Sequence, residues 1–182
     1  MKRILFTLVI LTLLSNILSA QNKTNQFPKS WIGKWAGALE IYNAKGLVQS
    51  VPMQLRILPT DSINRYTQMI IYGEDTIAGK RDYELVVIDE QKGFYATDEK
   101  NTIVMESYML GGKLYNLFEV MNNVLLATTE MVGENLVYEV ISTGKQPVST
   151  TGNQKFKGQD IPPVYAYPVN VRQVAVLKRI KE

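Results

Sequence analysis

Residues 102–144 read TIVMESYML-GG-KLYNLFEVM-NN-VLLATTEMV-GEN-LVYEVISTG, and this stretch decides the fold. Its four runs are rich in β-branched and aromatic residues, which favour strands. The turns between them include Gly111-Gly112 and Asn122-Asn123, and both pairs accept the positive φ angles that two-residue hairpin turns require. The stretch therefore predicts four antiparallel strands in up-and-down order.

The same pattern extends to both sides of this stretch. From Trp35 onward, apolar residues recur with period two, and turn signals separate the runs at short, regular intervals. In residues 48–58, Met53 and Leu55 share one face of the run, whereas Arg56 lies on the other face. No long run in this region has the period of a helix. We therefore predict an all-β domain of about ten strands.

The edges of such a sheet must be protected from pairing with other chains. Either a sandwich or a closed barrel achieves this, and near-equal hairpins favour a single antiparallel up-and-down β-barrel of about 8–10 strands. A barrel of this size is either filled by side chains or holds one small ligand. A membrane-spanning barrel would need a continuous apolar outer band, and mid-strand charges such as Arg56, Glu84 and Glu106 argue against one.

The N-terminal residues have the composition of a secretory signal peptide. Lys2 and Arg3 precede an apolar run over residues 4–14, and small residues follow it as far as Ala20. We predict cleavage after Ala20 and export to the periplasm or the extracellular space. Removal of residues 1–20 lowers the net charge from +3 to +1 and leaves no predicted transmembrane segment. No long basic run remains, so the electrostatic argument for binding nucleic acid fails.

Two residue types are missing from the chain, which has neither cysteine nor histidine. Without cysteine there is no disulfide, no thiolate nucleophile and no thiolate metal site. Without histidine the commonest general base, metal ligand and haem ligand are lost. We therefore expect a protein that is not an enzyme and that uses no cofactor or metal.

The domain organisation predicted from these patterns is simple. Residues 21–30 form an N-terminal linker, and residues 31–182 form one barrel domain. Residues 142–168 are rich in Ser, Thr, Gly, Gln and Lys, with few apolar side chains to bury. This composition predicts a long, mobile loop before the last strand.

The start of the domain carries a family resemblance. Residues 31–37 read WIGKWAG, and Gly33-x-Trp35 after a short helical turn resembles the opening of lipocalins and their calycin relatives. The resemblance implies that Trp35 plugs the closed end of a barrel and that a basic residue of the last strand lies across its indole. The candidates for that basic residue are Arg172, Lys178 and Arg179. The resemblance also implies that the barrel binds a small hydrophobic molecule.

The chain departs from that family in several respects. Lipocalins typically have a helix near the C-terminus and a disulfide, and the sequence predicts neither. The helical lid of the fatty-acid-binding relatives is absent from the pattern as well. Haem-binding barrels of similar build use histidine, which this chain lacks.

Aromatic residues on the predicted strands are the candidate ligand-binding residues. They either line an apolar pocket or pack as cross-strand pairs. The set comprises Tyr66, Tyr72, Tyr83, Tyr108, Tyr115, Phe118 and Tyr138. Arg56 would pair with a ligand carboxylate if it faced inward and would be a solvated strand charge if it faced outward.

Acidic residues on successive strands offer one catalytic alternative. Two inward carboxylates could act as an acid and base pair, as in glycoside hydrolysis, although strand glutamates usually face solvent. The residues concerned are Glu106, Glu119, Glu130 and Glu139.

The sequence is therefore compatible with two functions. The first is an exported, non-enzymatic β-barrel that binds a small hydrophobic ligand. The alternative is an envelope-associated interaction or structural module that uses its outer surface or residues 142–168. The sequence leaves the oligomeric state open.

Overall fold

The computed structural model describes residues 27–181, which are mostly β-strand. The signal peptide predicted over residues 1–20 lies outside the described residues, as does the linker up to residue 26. No helix among the residues described is long and apolar enough to cross a membrane. The elements are η1 (Lys29–Trp31), β1 (Gly33–Asn43), β2 (Gly46–Ile57), β3 (Arg65–Tyr72), β4 (Lys80–Asp89), β5 (Phe94–Asp98), β6 (Val104–Leu110), β7 (Lys113–Val120), β8 (Asn123–Val132), β9 (Asn135–Gly144), β10 (Ser149–Thr151), β11 (Gln154–Phe156), β12 (Gln159–Ile161), β13 (Val164–Ala166) and β14 (Val171–Arg179).

The chain divides into two compact units between Ile32 and Gly33. In the first unit, η1 is the short helical turn that the sequence predicts, and Phe27 and Trp31 make an edge-to-face ring contact with centroids 4.5 Å apart. The second unit contains all the strands.

Ten antiparallel strands close into one barrel. Strands β1 to β9 pair in chain order, and β14 lies between β9 and β1 and completes the ring. The predicted all-β, up-and-down barrel is confirmed, and the sandwich alternative is excluded because the sheet closes on itself. Closure removes the edge strands that an open sheet would expose.

One end of the barrel is filled by apolar side chains. Trp35 of β1 is completely buried and pairs in register with Leu55 of β2 and Arg179 of β14. Leu136 of β9 and Leu177 of β14 are equally buried. We call this the closed end, because buried apolar side chains occupy the interior of the barrel here.

The turn between β7 and β8 differs by one residue from the sequence prediction. Val120 pairs with Asn123, which leaves Met121 and Asn122 as the two turn residues. Their φ angles are 48° and 64°, as a type I′ hairpin turn requires at both positions. The predicted turn at Asn122-Asn123 is therefore shifted toward the N-terminus, and β7 ends before Met121.

The segment predicted as a mobile loop, residues 142–168, contains paired strands. Strand β9 continues to Gly144, and the last barrel strand begins at Val171. Between them, β10 pairs with β13 and β11 pairs with β12, so that one short hairpin is nested within another. Lys157 and Gly158 have positive φ angles and form the tip. We call residues 145–170 the arm.

Candidate ligand-binding cavity

Strand alternation decides which side chains enter the barrel. On β7, Leu114 and Asn116 are buried, whereas the intervening Tyr115 and the following Leu117 face outward. The connections β1–β2, β3–β4, β5–β6 and β7–β8 lie at the end of the barrel opposite the closed end, together with the arm. We call this the open end.

A cavity of about 300 Å³ occupies the interior near the open end. Eight of the ten barrel strands, or the residues just beyond them, contribute to its wall, so only the closed ring creates it. The lining residues are Gln68, Ile70, Tyr72, Tyr83, Thr97, Glu99, Met105, Asn116, Phe118, Leu125, Ala127, Thr129, Tyr138, Val140 and Gln173. Apolar and aromatic side chains with a few polar groups are the usual lining of a small-molecule site.

A polar network forms one wall of the cavity. The Thr97 hydroxyl donates to Gln68 Oε1 at 2.8 Å, and Asn116 Nδ2 donates to the Ser107 hydroxyl. Asn116 Nδ2 also reaches the Glu106 carbonyl oxygen at 3.3 Å. Among residues 27–181, Gln68 Nε2 and Asn116 Oδ1 have no hydrogen-bond partner. These two atoms are therefore available to a bound molecule as one donor and one acceptor.

Two tyrosine hydroxyls meet at another point of the wall. The hydroxyl oxygens of Tyr72 and Tyr138 lie 3.4 Å apart. Burial raises the pKa of both phenols, and that of Tyr138 lies well above its ordinary value because of burial first and Tyr72 second. Both side chains therefore stay neutral at physiological pH, and each can donate or accept a hydrogen bond.

Of the lining residues that the structure describes, Glu99, which follows β5, is the one with a charged side chain. Burial raises the pKa of the neighbouring Tyr83, and the negative charge of Glu99 raises it further. Arg81 opposes this effect weakly, and its Nη1 donates to the carbonyl oxygens of Ala78 and Lys80. Among the described residues, the cavity wall therefore contains a carboxylate and no basic side chain.

The sequence candidates divide between the two faces of the barrel. Tyr72, Tyr83, Phe118 and Tyr138 line the cavity. Tyr66 shares the inward alternation of β3 but lies nearer the closed end, paired with Leu85, and does not line the cavity.

Tyr108 and Tyr115 are on the outer face, which corrects their assignment as ligand-binding residues. They pair with each other across β6 and β7, and Phe94 stacks on Tyr108 with centroids 5.3 Å apart. The register places Ser107, which is completely buried, on the inner face instead. These aromatic residues are the cross-strand pairs that the sequence left as an alternative.

Arg56 also lies outside the cavity. The inward positions of β2 are occupied by the buried Met53, Leu55 and Ile57, and alternation turns Arg56 outward. Its Nη2 donates to Gln54 Oε1 at 2.9 Å on the same face. Arg56 therefore cannot bind a ligand carboxylate in the cavity.

The candidates that the sequence offers are mostly aromatic and do not include the polar lining residues Gln68, Asn116 and Gln173. Asn116 lies on the same face of β7 as Leu114 and Phe118, and Gln68 and Gln173 likewise occupy positions on apolar faces. A polar residue on an otherwise apolar strand face was the available signal, because such residues are usually exposed.

At the closed end, the guanidinium of Arg179 lies 4.2 Å from the centroid of the Trp35 ring. This distance suits a cation–π contact. Gly33 permits the approach, because a Cβ there would lie 2.3 Å from Arg179 Nη1. Gly33, Trp35 and Arg179 thus form one cluster.

The other two basic candidates of β14 face outward. Arg172 lies over the Tyr42 ring at 6.0 Å and pairs with Glu139. Lys178 shares the alternation of Arg172 and not that of the buried Ala175 and Leu177. Alternation along β14 therefore places Arg179, and neither of the others, across Trp35.

The four strand glutamates do not converge on the cavity. Each lies on the outer face and contacts an outer side chain: Glu106 with Tyr108, Glu119 with Lys145, Glu130 with Lys113 and Glu139 with Arg172. They provide no pair of carboxylates facing each other across a cleft. Within the described part of the chain, no group of three acidic residues is arranged to hold a metal ion.

Comparison with protein-family models finds no matching family, and comparison with curated proteins finds no significant match.

Proposed function

We propose that this protein is an exported, lipocalin-like barrel that binds one small, largely apolar molecule at its open end without catalysis. The observation that carries the proposal is the cavity of about 300 Å³, with its mixed apolar and polar wall. Packed protein interiors contain few voids larger than a water molecule. A cavity of this size with unpaired donor and acceptor atoms therefore supports a ligand site over a packing defect.

The lipocalin-like part of the proposal rests on the closed end. A tryptophan of the first strand, Trp35, is buried there under a basic residue of the last strand, Arg179. Gly33 gives that residue room. The export part rests on the pattern of residues 1–20.

The first prediction concerns filling the cavity. Ala127→Phe places a ring in the cavity wall, and Val132→Phe places the same ring on the exposed outer face of the same strand. We expect the wild-type protein to bind N-phenyl-1-naphthylamine, a neutral fluorescent probe, saturably at one site. Ala127→Phe should weaken binding by about tenfold or more, because overpacking a site costs roughly 1–3 kcal/mol. Val132→Phe should leave binding unchanged.

Fluorescence titration measures the probe affinity, and circular dichroism verifies that both variants are folded. Equal affinity in all three proteins would contradict the proposal, because the probe would then bind elsewhere. Native mass spectrometry of the purified protein would detect a retained natural ligand. The same spectrum would report whether residues 1–20 are cleaved.

A second candidate function is protein interaction through the arm. Val164, Tyr165, Tyr167 and Val169 are each more than half exposed. Exposed apolar residues on one element favour contact with a partner. Because the arm begins and ends at the open end, such a partner would lie beside the cavity.

A further inference from the structure

The charge of the cavity wall indicates a class of ligand, an inference that rests on the proposed function. We infer that the cavity selects an amphipathic amine over a carboxylate of the same size and shape. The amine would lie at Glu99, with its apolar body among the aromatic and aliphatic lining residues.

Glu99 is a carboxylate without a neutralising partner. Its Oε2 accepts a hydrogen bond from Asn101 Nδ2 at 3.2 Å, and the Tyr83 hydroxyl also donates to its side chain. Both partners are neutral, and within residues 27–181 Glu99 makes no ion pair. The adjacent carboxylates differ, because Asp98 pairs with Arg65 and Glu84 pairs with both Arg65 and Lys100. Asp98 and Glu84 are thus compensated by basic side chains, whereas Glu99 in the cavity wall has no such partner among the described residues.

The nearby cations are engaged elsewhere. Lys100 Nζ lies 3.0 Å from Asp82 on the outer face. Arg81 lies close enough to Tyr72 and Tyr83 to oppose the rise in their pKa values, but its hydrogen bonds go to backbone carbonyl oxygens. A ligand ammonium would therefore be the direct ionic partner of Glu99.

Aromatic side chains in the same cavity wall also favour a positively charged group on the ligand. Tyr72, Tyr83, Phe118 and Tyr138 line the cavity together with Glu99. The face of an aromatic ring attracts a cation and repels an anion. A ligand carboxylate would meet these rings and Glu99, and no basic residue within 27–181 lines the cavity to pair with it. It would therefore lose its hydration without compensation.

The test uses three molecules with a shared phenyl-alkyl body: 4-phenylbutylamine, 4-phenylbutanol and 4-phenylbutyrate. Their dissociation constants are measured at neutral pH by displacement of N-phenyl-1-naphthylamine from the full protein. We expect the amine to bind about fivefold more tightly than the alcohol, as for a partly exposed ion pair, and the carboxylate to bind most weakly.

Two variants isolate the contribution of Glu99. Glu99→Gln keeps the shape of the side chain and removes its charge, so the amine and the alcohol should then bind about equally. The alcohol affinity should stay close to that of the wild type. Glu134→Gln removes a carboxylate from an exposed turn at the closed end and should preserve the preference for the amine.

The possible outcomes separate the two proposals. If the carboxylate binds as tightly as the amine, or if Glu99→Gln leaves the amine preference intact, the inference about Glu99 is overturned while the cavity remains a binding site. If the probe itself does not bind to the protein, the proposed function fails as well.

Discussion

Trp35 shows how one side chain can organise the closed end of the barrel. It lies between β2 and β14 in the register, is completely buried, and has the Arg179 guanidinium over its ring. Its ring therefore gains both hydrophobic burial and a cation–π contact. Gly33 contributes by having no Cβ to displace Arg179.

The corresponding prediction is that Trp35→Ala lowers the free energy of unfolding by roughly 3–5 kcal/mol, because it leaves a large cavity among packed side chains. Urea unfolding followed by circular dichroism measures the loss. Phe156→Ala, in an exposed part of the arm, is the control and should change little. A loss of less than about 1 kcal/mol for Trp35→Ala would contradict the role given to Trp35.

Alternation also explains which candidate residues could be placed from the sequence. Phe118 shares a face with Leu114, and Tyr138 shares one with Leu136, so their inward orientation follows from the period of two. In β6 both faces carry apolar residues, and the larger Tyr108 lies outside while the small Ser107 lies inside. Side-chain size therefore did not indicate which face of β6 is the inner one. The inner position is occupied by the small Ser107, whose hydroxyl has a hydrogen-bond partner in Asn116.

At the scale of elements, the arm is a separate piece of structure. Within the described residues, its strands pair with each other and not with barrel strands, and most of its side chains are exposed. The sequence predicted an unpaired loop because the composition is polar. The two nested hairpins, with their tip at Lys157-Gly158, pair the backbone N–H and C=O groups of this segment. Such pairing does not require a hydrophobic core.

We therefore predict that the arm can be removed without loss of the barrel. Replacing residues 147–168 with Asn-Gly leaves Ser142 and Val171 paired between β9 and β14. The free energy of unfolding should stay within about 0.5 kcal/mol of the wild-type value, since the removed groups do not pair with barrel strands. Thermal and urea unfolding measure it. A loss above about 2 kcal/mol would mean that the arm supports the barrel.

At the scale of the whole molecule, closure of the ring gives the two ends different properties. The closed end is apolar and packed, whereas the open end has the cavity with its neutral phenols, Tyr72 and Tyr138. Tyr72 belongs to β3 and Tyr138 to β9, which are far apart in sequence. Only the closed sheet places their hydroxyls together.

This pair predicts a loss of stability at alkaline pH. The unfolded phenol loses its proton near pH 10, whereas the folded Tyr138 has a raised pKa and keeps its proton to higher pH. The native state then binds more protons than the unfolded state, so its contribution to stability is complete below about pH 10 and falls as the pH rises further.

Tyr138→Phe should make the decline of unfolding free energy above about pH 10 less steep than in the wild type. Urea titrations at a series of alkaline pH values give the slope. Tyr165→Phe, in the arm, is the matched control. Identical slopes for the wild type and Tyr138→Phe would show that burial of this phenol does not contribute to the loss of stability at alkaline pH.

The sequence by itself predicted the all-β class, the up-and-down order of the hairpins and the alternation that puts Arg172 and Arg179 on opposite faces of the last strand. These properties depend on the local period of side chains and on turn residues, which are readable along one chain. The tertiary structure decided which apolar face of each strand is inner, and it brought Gln68, Glu99 and Asn116 into one cavity. The physical reason is that register and closure join strands distant in sequence, and no local pattern specifies which strands will face each other across the barrel.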